Sequence, residues 1–337
     1  MKTDLIYGVE DRPPFKDAIF AALQHLLAIF VAIITPPLII AGALKLDVEK
    51  TSFLVSMSLF VSGISTFIQC KRFGPVGARL LCIQGTSFSF IGPIITTGLM
   101  GGLPLIFGVC MAAAPVEMVI SRTFRYMRNI ITPLVSGIVV LLIGLSLIKV
   151  GVVSCGGGYG AMDNGTFGSW ENLSIAGLVL LSVLFFNRSK NKYLRMSSIV
   201  LGICLGYGLA FALGKVDMSS LNLNLLTSFN IPTPFKYGLD FNISSFIAIG
   251  LVYLITAIEA TGDVTANSMI SGLDIEGEGY VKRVSGGVLA DGFNSFLAGI
   301  FNSFPNSIFA QNNGIIQLTG VASRFVGYYI AAMLVLL

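Results

Sequence analysis

Charged residues are scarce in this sequence. Asp, Glu, Lys and Arg together make up only 11% of the 337 residues, whereas soluble domains typically contain about 25%. Hydrophobic residues make up 54% of the chain. So few charges exclude a solvated surface over most of the molecule, and they indicate a protein that crosses a lipid bilayer many times.

Residues that bind metals or form disulfides are also sparse. The chain has one histidine and five scattered cysteines, none of them in a CxxC pair. Such cysteines are typical of packing residues in apolar helices, and these residues give little support for a metal site. The HExxH and GxSxG motifs are missing, which argues against an intramembrane enzyme. We therefore expect no metal, no bound cofactor and no catalytic residue.

Several apolar segments approach the length of about 20 residues that spans the hydrocarbon core. Examples are Ile131–Val150, Leu173–Phe186, Met196–Leu213 and Phe246–Ala260. The first 16 residues are polar and lack the apolar core and cleavage site of a signal peptide. We therefore predict that the first apolar helix, from about Asp17, stays in the protein as a membrane anchor.

Positive charges cluster in four loops that alternating spans place on one side of the membrane. The clusters lie at Lys71–Arg79, Arg122–Arg128, Arg188–Arg195 and Lys282–Arg283. The positive-inside rule assigns this side, and with it the amino terminus, to the cytoplasm. The isoelectric point of about 8.8 has the same origin, so it is no argument for binding nucleic acid.

Two segments interrupt apolar stretches with amides, glycines and hydroxyls. One is Leu80–Phe90 and the other is Ser307–Ile316. In both, a short apolar run precedes a glutamine, Gln84 or Gln311, which is followed by small polar residues and a glycine. Polar, non-helical backbone is tolerated at membrane depth only where protein or water satisfies its hydrogen bonds. Matching interruptions in two halves indicate a transporter's midplane site, where half-helix N-termini point at the ligand. Two glycine-rich kinks without a ligand would give the same pattern.

Four ionisable residues lie within predicted spans. Glu259 and Asp263 are four residues apart on one helix face, Asp291 follows a glycine-rich run, and His25 interrupts the first span. A charge near the bilayer centre costs at least ~3 kcal/mol, so such groups face a cavity or a partner. Glu259 is the strongest candidate for binding or for exchanging a proton. The two aspartates fit proton coupling or a structural role, and His25 fits a proton relay or a core histidine.

One more carboxylate, Glu117, lies near the cytoplasmic end of its predicted span. Arg122 follows in the next turn of the chain. We predict that the two residues form a structural ion pair.

These residues together resemble the nucleobase–ascorbate transporter family. The family signature, Gln or Glu-Asn-x-Gly with Thr five residues after the Gly, is similar to Gln311–Thr319. Gly320, directly after that Thr, resembles the bacterial xanthine and urate permease branch. The similarity extends over essentially the whole chain, through Glu10–Phe15, Gln24–His25, Pro232–Gly238, Ile258–Asp263 and Gly286–Gly292.

The resemblance implies an all-α, polytopic membrane protein with an inverted seven-plus-seven repeat, core and gate domains, and two short strands in the interrupted segments. The chain would then be C-terminally truncated, with about 11 of 14 spans. The implied divisions are a cytoplasmic N-terminus (1–16), the first core repeat (17–121), the first gate repeat (131–214), an extracytoplasmic loop region (215–244) and the second core repeat (245–337) without its remaining gate spans.

The resemblance also implies proton-coupled uptake of xanthine, urate or both across a bacterial cytoplasmic membrane. Glu259 and Gln311 would bind the polar edges of the purine, and Phe88 would stack on it or offer backbone. Asn312 would contact the substrate or support the site, and His25, Asp263, Asp291 and Gln84 would support the site or couple protons. The co-transported proton replaces any cofactor, and the full-length form is expected to be a homodimer.

Ser87 departs from the family pattern, because strict xanthine transporters of the branch carry asparagine at this position. A small hydroxyl leaves more room, so we interpret Ser87 as a substrate-contacting residue that tolerates the additional oxygen of urate. Two other functions stay open. The chain could be a non-transporting fragment that retains a base-binding site, or a carrier of uracil or another anion with the same architecture.

Overall fold

The computed structural model describes residues 5–127, 151–191, 198–216 and 230–337, with the single positions 138, 141, 145, 148 and 194. The predicted span Ile131–Val150 therefore lies almost entirely outside the described residues. Contacts divide the chain into two compact units, one of Met1–Ile143 with Pro232–Leu337 and one of Gly144–Ile231. The domain boundaries implied by the family resemblance stay a prediction.

The larger unit is built of helices with two short strands between them. In chain order its elements are α1 (Phe15–Ala43), α2 (Val48–Lys71), β1 (Gln84–Thr86), a 3-10 turn (Phe88–Phe90), α3 (Ile91–Met127), α7 (Ile243–Ile270), α8 (Gly277–Ile300), β2 (Asn306–Ile308), α9 (Gln311–Thr319) and α10 (Val326–Leu336). The smaller unit contains α4 (Gly158–Asp163), α5 (Trp170–Asn187) and α6 (Ser198–Ala212).

Side-chain caps fix the starts of two long helices. Asp47 accepts a hydrogen bond from the backbone nitrogen of Lys50 at the start of α2, at 2.7 Å. Asn242 does the same for Ser245 at the start of α7, at 3.1 Å. These bonds satisfy backbone N–H groups that have no partner within the helix.

Several described helices are long and apolar enough to cross a membrane. They are Phe15–Ala43, Val48–Lys71, Phe88–Thr123, Trp170–Asn187 and Ile243–Ile270. The predicted spans Leu173–Phe186 and Phe246–Ala260 thus lie within longer helices, and Met196–Leu213 corresponds to the shorter α6. The multi-pass membrane prediction is confirmed.

The two interrupted segments meet as a pair of antiparallel strands. Gln84 pairs with Ile308, Gly85 with Ser307 and Thr86 with Asn306. Two further backbone bonds flank the ladder, from Ser87 N to Pro305 O at 2.9 Å and from Phe309 N to Ile83 O at 3.0 Å. Each segment thus satisfies the other's polar backbone, as burial in a bilayer requires. The prediction of two short strands in these segments is confirmed.

The structure changes the alignment between the two segments. The sequence comparison set Gln84 opposite Gln311, but Gln84 opens strand β1 whereas Gln311 opens helix α9. Counted from the ends of the strands, the counterpart of Gln311 is Ser89, since each lies three residues after its strand. The repeat is therefore real, but its register differs from the one that the glutamines indicate.

Helix α3 is interrupted near its start. Gly101 and Gly102 have non-helical backbone angles, and Gly102 has a φ of 68°, which residues with a side chain rarely adopt. The kink separates a half-helix after β1 from a second, longer helical part. It therefore gives the first interrupted segment the strand and half-helix that the second segment has in β2 and α9.

The smaller unit is held by contacts of its own. The Asn172 amide donates to the carbonyl oxygens of Gly156 at 3.0 Å and Thr166 at 3.1 Å, and Lys215 forms an ion pair with Glu171 at 2.8 Å. Because Asn172 lies at the start of α5, these bonds fix the loop before that helix.

The N-terminal segment, residues 5–12, joins the two halves of the larger unit. Tyr7 pairs in parallel with Val321, and the backbone nitrogen of Ala322 donates to Tyr7 O at 2.9 Å. Glu10 then forms ion pairs with Arg79, before β1, at 2.8 Å and with Arg324, before α10, at 3.0 Å. One carboxylate thus connects the loops that lie next to both interrupted segments.

We expect Glu10→Gln to lower stability by about 1 kcal/mol or less, because most of this ion-pair network is exposed. Burial raises the pKa of Glu10, but its bonds with Arg324 and Arg79 outweigh this effect and leave the pKa below its ordinary value of 4.5. The stabilisation is therefore complete above the unfolded pKa and is lost as the pH falls through the lower, folded value.

Thermal melts of the protein in nanodiscs, recorded from neutral to acid pH, test this prediction. The difference between Glu10→Gln and the unsubstituted chain should vanish at acid pH. Glu49→Gln, a change at another exposed carboxylate, serves as the control. A deficit of the same size at all pH values would show that the Glu10 charge contributes nothing.

Candidate functional site

Glu259 lies in the middle of α7 and is half-buried. Its Oε2 accepts a hydrogen bond of 3.3 Å from the Ser89 hydroxyl, which lies in the 3-10 turn after β1. Asp263 follows one turn later on the same face, and its Oδ2 is buried without a hydrogen-bond partner in the described part of the chain. Helix α7 therefore presents two carboxyl groups at the level of the first interrupted segment.

Gln84 connects strand β1 to helix α8. Its Nε2 donates to Asp291 Oδ1, and its Oε1 accepts from Asn294 Nδ2 at 2.6 Å. Its backbone nitrogen donates to the Thr66 hydroxyl on α2 at 3.1 Å. All four residues are fully buried. The network therefore fixes where the first interrupted segment lies between α2 and α8.

The start of α9 carries three consecutive amides with different surroundings. Asn312 is buried and donates to Leu81 O, and Asn313 accepts from the Asn267 amide at 2.9 Å and donates to Asp263 O at 3.3 Å. The Gln311 side chain is exposed. Two amides thus anchor the half-helix, and the third is left open at its N-terminus, where the helix dipole is positive.

Three other predicted residues lie around these groups. His25 is buried in α1 beside Asn312, and neither ring nitrogen has a well-formed hydrogen bond with a described residue. Phe88 is half-buried at the start of the 3-10 turn. Ser87, just before it, is buried, and its hydroxyl has no hydrogen-bond partner among the described residues.

The predicted ion pair between Glu117 and Arg122 is wrong. Glu117 is fully buried, whereas Arg122 is exposed. The neighbours of the Glu117 carboxyl are instead Asp291 on α8 and Thr256 on α7. The physical reason is helical geometry, because residues five apart do not share a helix face, whereas residues three or four apart do.

Sequence reasoning missed several polar residues of this region. They are Ser89, Asn294 and Asn313, which bond to predicted residues or their backbone, and Asn267, which bonds to Asn313. Helical spacing was the available signal for two of them. Asn267 continues the four-residue spacing of Glu259 and Asp263, and Asn294 lies one turn after Asp291.

This arrangement suits a small, planar, polar ligand. A carboxylate accepts N–H groups, and an amide both donates and accepts, so together they can bind a heterocycle with alternating donors and acceptors. The described residues contain no group of three or more His, Cys, Asp or Glu side chains that could hold a metal ion. The groups that these described residues offer to a ligand are hydrogen-bonding side chains and the half-helix N-terminus.

Membrane-spanning helices with two interrupted segments that cross as paired strands define a secondary transporter of the inverted-repeat class. Solved structures support this fold. The transmembrane domain of the cyanobacterial bicarbonate transporter BicA has a TM-score of 0.56 and 14% identity, and it covers 96% of this chain and 83% of its own. SLC26A9 has a TM-score of 0.56 and 13% identity, and the match covers 96% of this chain and 54% of the SLC26A9 chain.

The sequence profile of the Permease family matches residues 16–337, and the chain belongs to this family, the nucleobase–ascorbate transporters. The xanthine permeases XanP and XanQ of Escherichia coli K12 are 50% and 48% identical over 99% of this chain, which spans 74% and 73% of their lengths. The uric acid permease PucJ of Bacillus subtilis is 34% identical, over 90% of this chain and 67% of its own.

Proposed function

We propose that the chain takes up xanthine across the cell membrane, driven by protons that enter with the base. The observation that carries this proposal is the 50% sequence identity to the xanthine permease XanP over 99% of the chain. The amino terminus is proposed to lie in the cytoplasm. The carrier is proposed to release the base without changing it chemically. A homodimer is proposed as the working assembly.

The geometry of the site supports a purine ligand. Glu259 and Gln311 are the polar groups left most available, since Glu259 has one long hydrogen bond and Gln311 is exposed. We propose that Glu259 accepts N–H groups of xanthine and that Gln311 pairs with an adjacent carbonyl and N–H. A base with a different edge pattern would leave one of these groups unpaired, which costs about 1–3 kcal/mol.

We propose that carboxyl groups within the membrane carry the coupled proton. Asp263 and Asp291 lie close to Glu259, and the negative charges of these three groups disfavour one another. A bound proton removes one charge and lowers the cost of moving the loaded site through the low-dielectric interior. His25 and Asn312 are proposed to support the start of α9 whether or not the coupled proton is bound.

Uptake by cells that lack purine permeases of their own tests the proposal. Cells that express the chain should accumulate labelled xanthine, recover it unchanged, and stop accumulating it when a protonophore is added. Cells with the empty vector are the control. Absence of uptake would contradict the proposed function, whereas uptake that ignores the protonophore would contradict only the proton coupling. Uptake of bicarbonate instead would favour an anion carrier.

Urate is the second candidate substrate, favoured by the identity to the uric acid permease PucJ. Ser87 bears on this choice because it is buried at the end of β1 and its hydroxyl is unpaired within the described residues. A larger asparagine would fill space that the 8-oxo group of urate needs.

We expect Ser87→Asn to weaken inhibition of xanthine uptake by urate about tenfold, which is typical for a small steric difference in a pocket. The Michaelis constant for xanthine, measured in the same variant, should change much less and serves as the internal control. Equal inhibition by urate in both proteins would refute the assignment of Ser87.

A further inference from the structure

Glu117 is a buried carboxyl group that the proposed substrate site does not use. It lies in the part of α3 that follows the kink, it is 0% exposed, and neither of its oxygens has a well-formed hydrogen bond with a described residue, although the Thr256 hydroxyl lies nearby. A carboxylate buried in this way costs several kcal/mol unless a cation pairs with it. Its charged neighbours, however, are acidic.

The crossing of α3 and α8 places Glu117 against Asp291. The two helices are so close that a Cβ atom at Gly292 would lie 3.1 Å from Met118 N and 3.2 Å from Ala114 O. Glu117 precedes Met118 and Asp291 precedes Gly292, and next to this contact the two carboxyl groups lie within hydrogen-bonding reach of each other. The approach requires glycine at this position because a side chain would push the backbones apart.

No cation balances the pair among the described groups that interact with it. Helix α7 contributes Tyr253, Thr256, Glu259 and Asp263, β1 contributes Gln84, and α8 contributes Asn294. None of these groups is a cation. Of the four carboxyl oxygens of the pair, only Asp291 Oδ1 accepts a well-formed hydrogen bond from a described donor, the Gln84 amide. Two carboxylates this close cannot both ionise, and one proton between them would supply the missing donor.

We propose that Glu117 and Asp291 share one proton, and that Glu117 is a positioning residue that acts on the substrate site through Asp291 and Gln84. The contacts run from Glu117 to Asp291, then to Gln84, the first residue of β1. Gain or loss of the proton changes the charge next to Gln84 by one unit. The role in transport rests on the proposed function, whereas the sharing of the proton does not.

Infrared spectra of the full chain in nanodiscs, without purine, test the shared proton. The carbonyl band of a buried carboxylic acid should be present at neutral pH and should shift in deuterium oxide. In Glu117→Gln and in Asp291→Asn the remaining buried carboxyl group should keep the proton, so the band should keep its intensity and shift to another frequency. Only the double variant should lose the intensity of one acid group. Glu278→Gln, an exposed carboxylate on α8, should leave the band intact.

Two results would overturn the shared proton. An unshifted band in Glu117→Gln would show that Glu117 shares no proton. Loss of one acid group's intensity in each single variant, and of two in the double variant, would show two separate acids. If Asp291→Asn does not fold, the Glu117→Gln spectrum alone still decides, because the shift expected in that variant does not depend on the others.

Xanthine binding to the same nanodiscs tests the role in the carrier. One coupled proton should change the dissociation constant of the unsubstituted chain about tenfold per pH unit. Glu117→Gln should abolish this dependence, and Glu117→Asp should restore it, which a merely structural role would not predict. The same pH dependence in Glu117→Gln would overturn the role. If the unsubstituted chain binds no xanthine while the infrared result holds, the proposed function fails and the shared proton stands.

Discussion

Replacing Glu259 with glutamine should abolish high-affinity xanthine uptake. The carboxylate is proposed to accept N–H groups of the base in a mostly buried place, and loss of one partner from such a charged pair costs about 2–5 kcal/mol. This range corresponds to a loss of affinity of roughly 30-fold to several thousand-fold. Glutamine has nearly the same shape, but it presents an NH₂ group to the base and cannot exchange a proton.

The folded state should tolerate this change. Glu259 makes a single side-chain hydrogen bond within the described residues, with Ser89 at 3.3 Å, and the amide oxygen of glutamine can accept the same bond. The variant should therefore insert into the membrane in normal amounts, as measured by immunoblotting of membrane fractions. Glu278→Gln, at an exposed position of α8, is the matched control and should transport normally.

Binding and uptake should be measured separately for this variant. Equilibrium binding of labelled xanthine reports the contact with the base, and uptake under an imposed pH gradient reports the coupling as well. Normal affinity together with normal uptake in Glu259→Gln would remove this residue from the proposed site. Normal affinity with lost uptake would restrict its role to the proton.

The crossing of the two interrupted segments is the part of the fold that the sequence predicts best. Amides, glycines and hydroxyls between apolar stretches are expensive in lipid, so the segments of Gln84 and Gln311 had to bury their backbone against protein. The resemblance to a known family supplied the two strands. The structure has them, with three residue pairs between β1 and β2.

The register of the repeat could not be predicted in the same way. The two glutamines are the most similar residues of the two segments, but one lies in a strand and the other at the start of a helix. Side-chain identity does not report backbone conformation in three-residue strands, because so short an element has no periodicity to read. Only the paired strands show that Ser89 corresponds to Gln311.

Side-chain partners on different helices could not be predicted from the sequence either. The sequence indicates that Asp291 needs a partner, but it does not show that Gln84 and Glu117 provide the contacts from two other elements. Such pairs are set by where helices cross, and the crossing of α3 and α8 depends on the small size of Gly292. Spacing along one helix was informative only for residues on the same face of that helix, such as Asn267 after Asp263.

Replacing Gln311 with alanine should reduce affinity for xanthine without destabilising the protein. The exposed side chain makes no hydrogen bond with another described residue, whereas Asn312 and Asn313 beside it anchor the half-helix. Loss of a paired amide contact costs about 1–3 kcal/mol, or about 5- to 150-fold in affinity. Uptake at low xanthine concentrations should therefore fall to background, and high concentrations should restore part of it.

Gln317→Ala is the matched control for this variant. Gln317 is also an exposed glutamine of α9, so its replacement changes helix propensity and composition in the same way at a position six residues further on. Because Gln317 lies away from the N-terminus of the half-helix, the control should bind xanthine normally. Equal losses in both variants would trace the effect to helix α9 as a whole, and a loss confined to Gln311→Ala would place the contact with the base at the positive end of that helix.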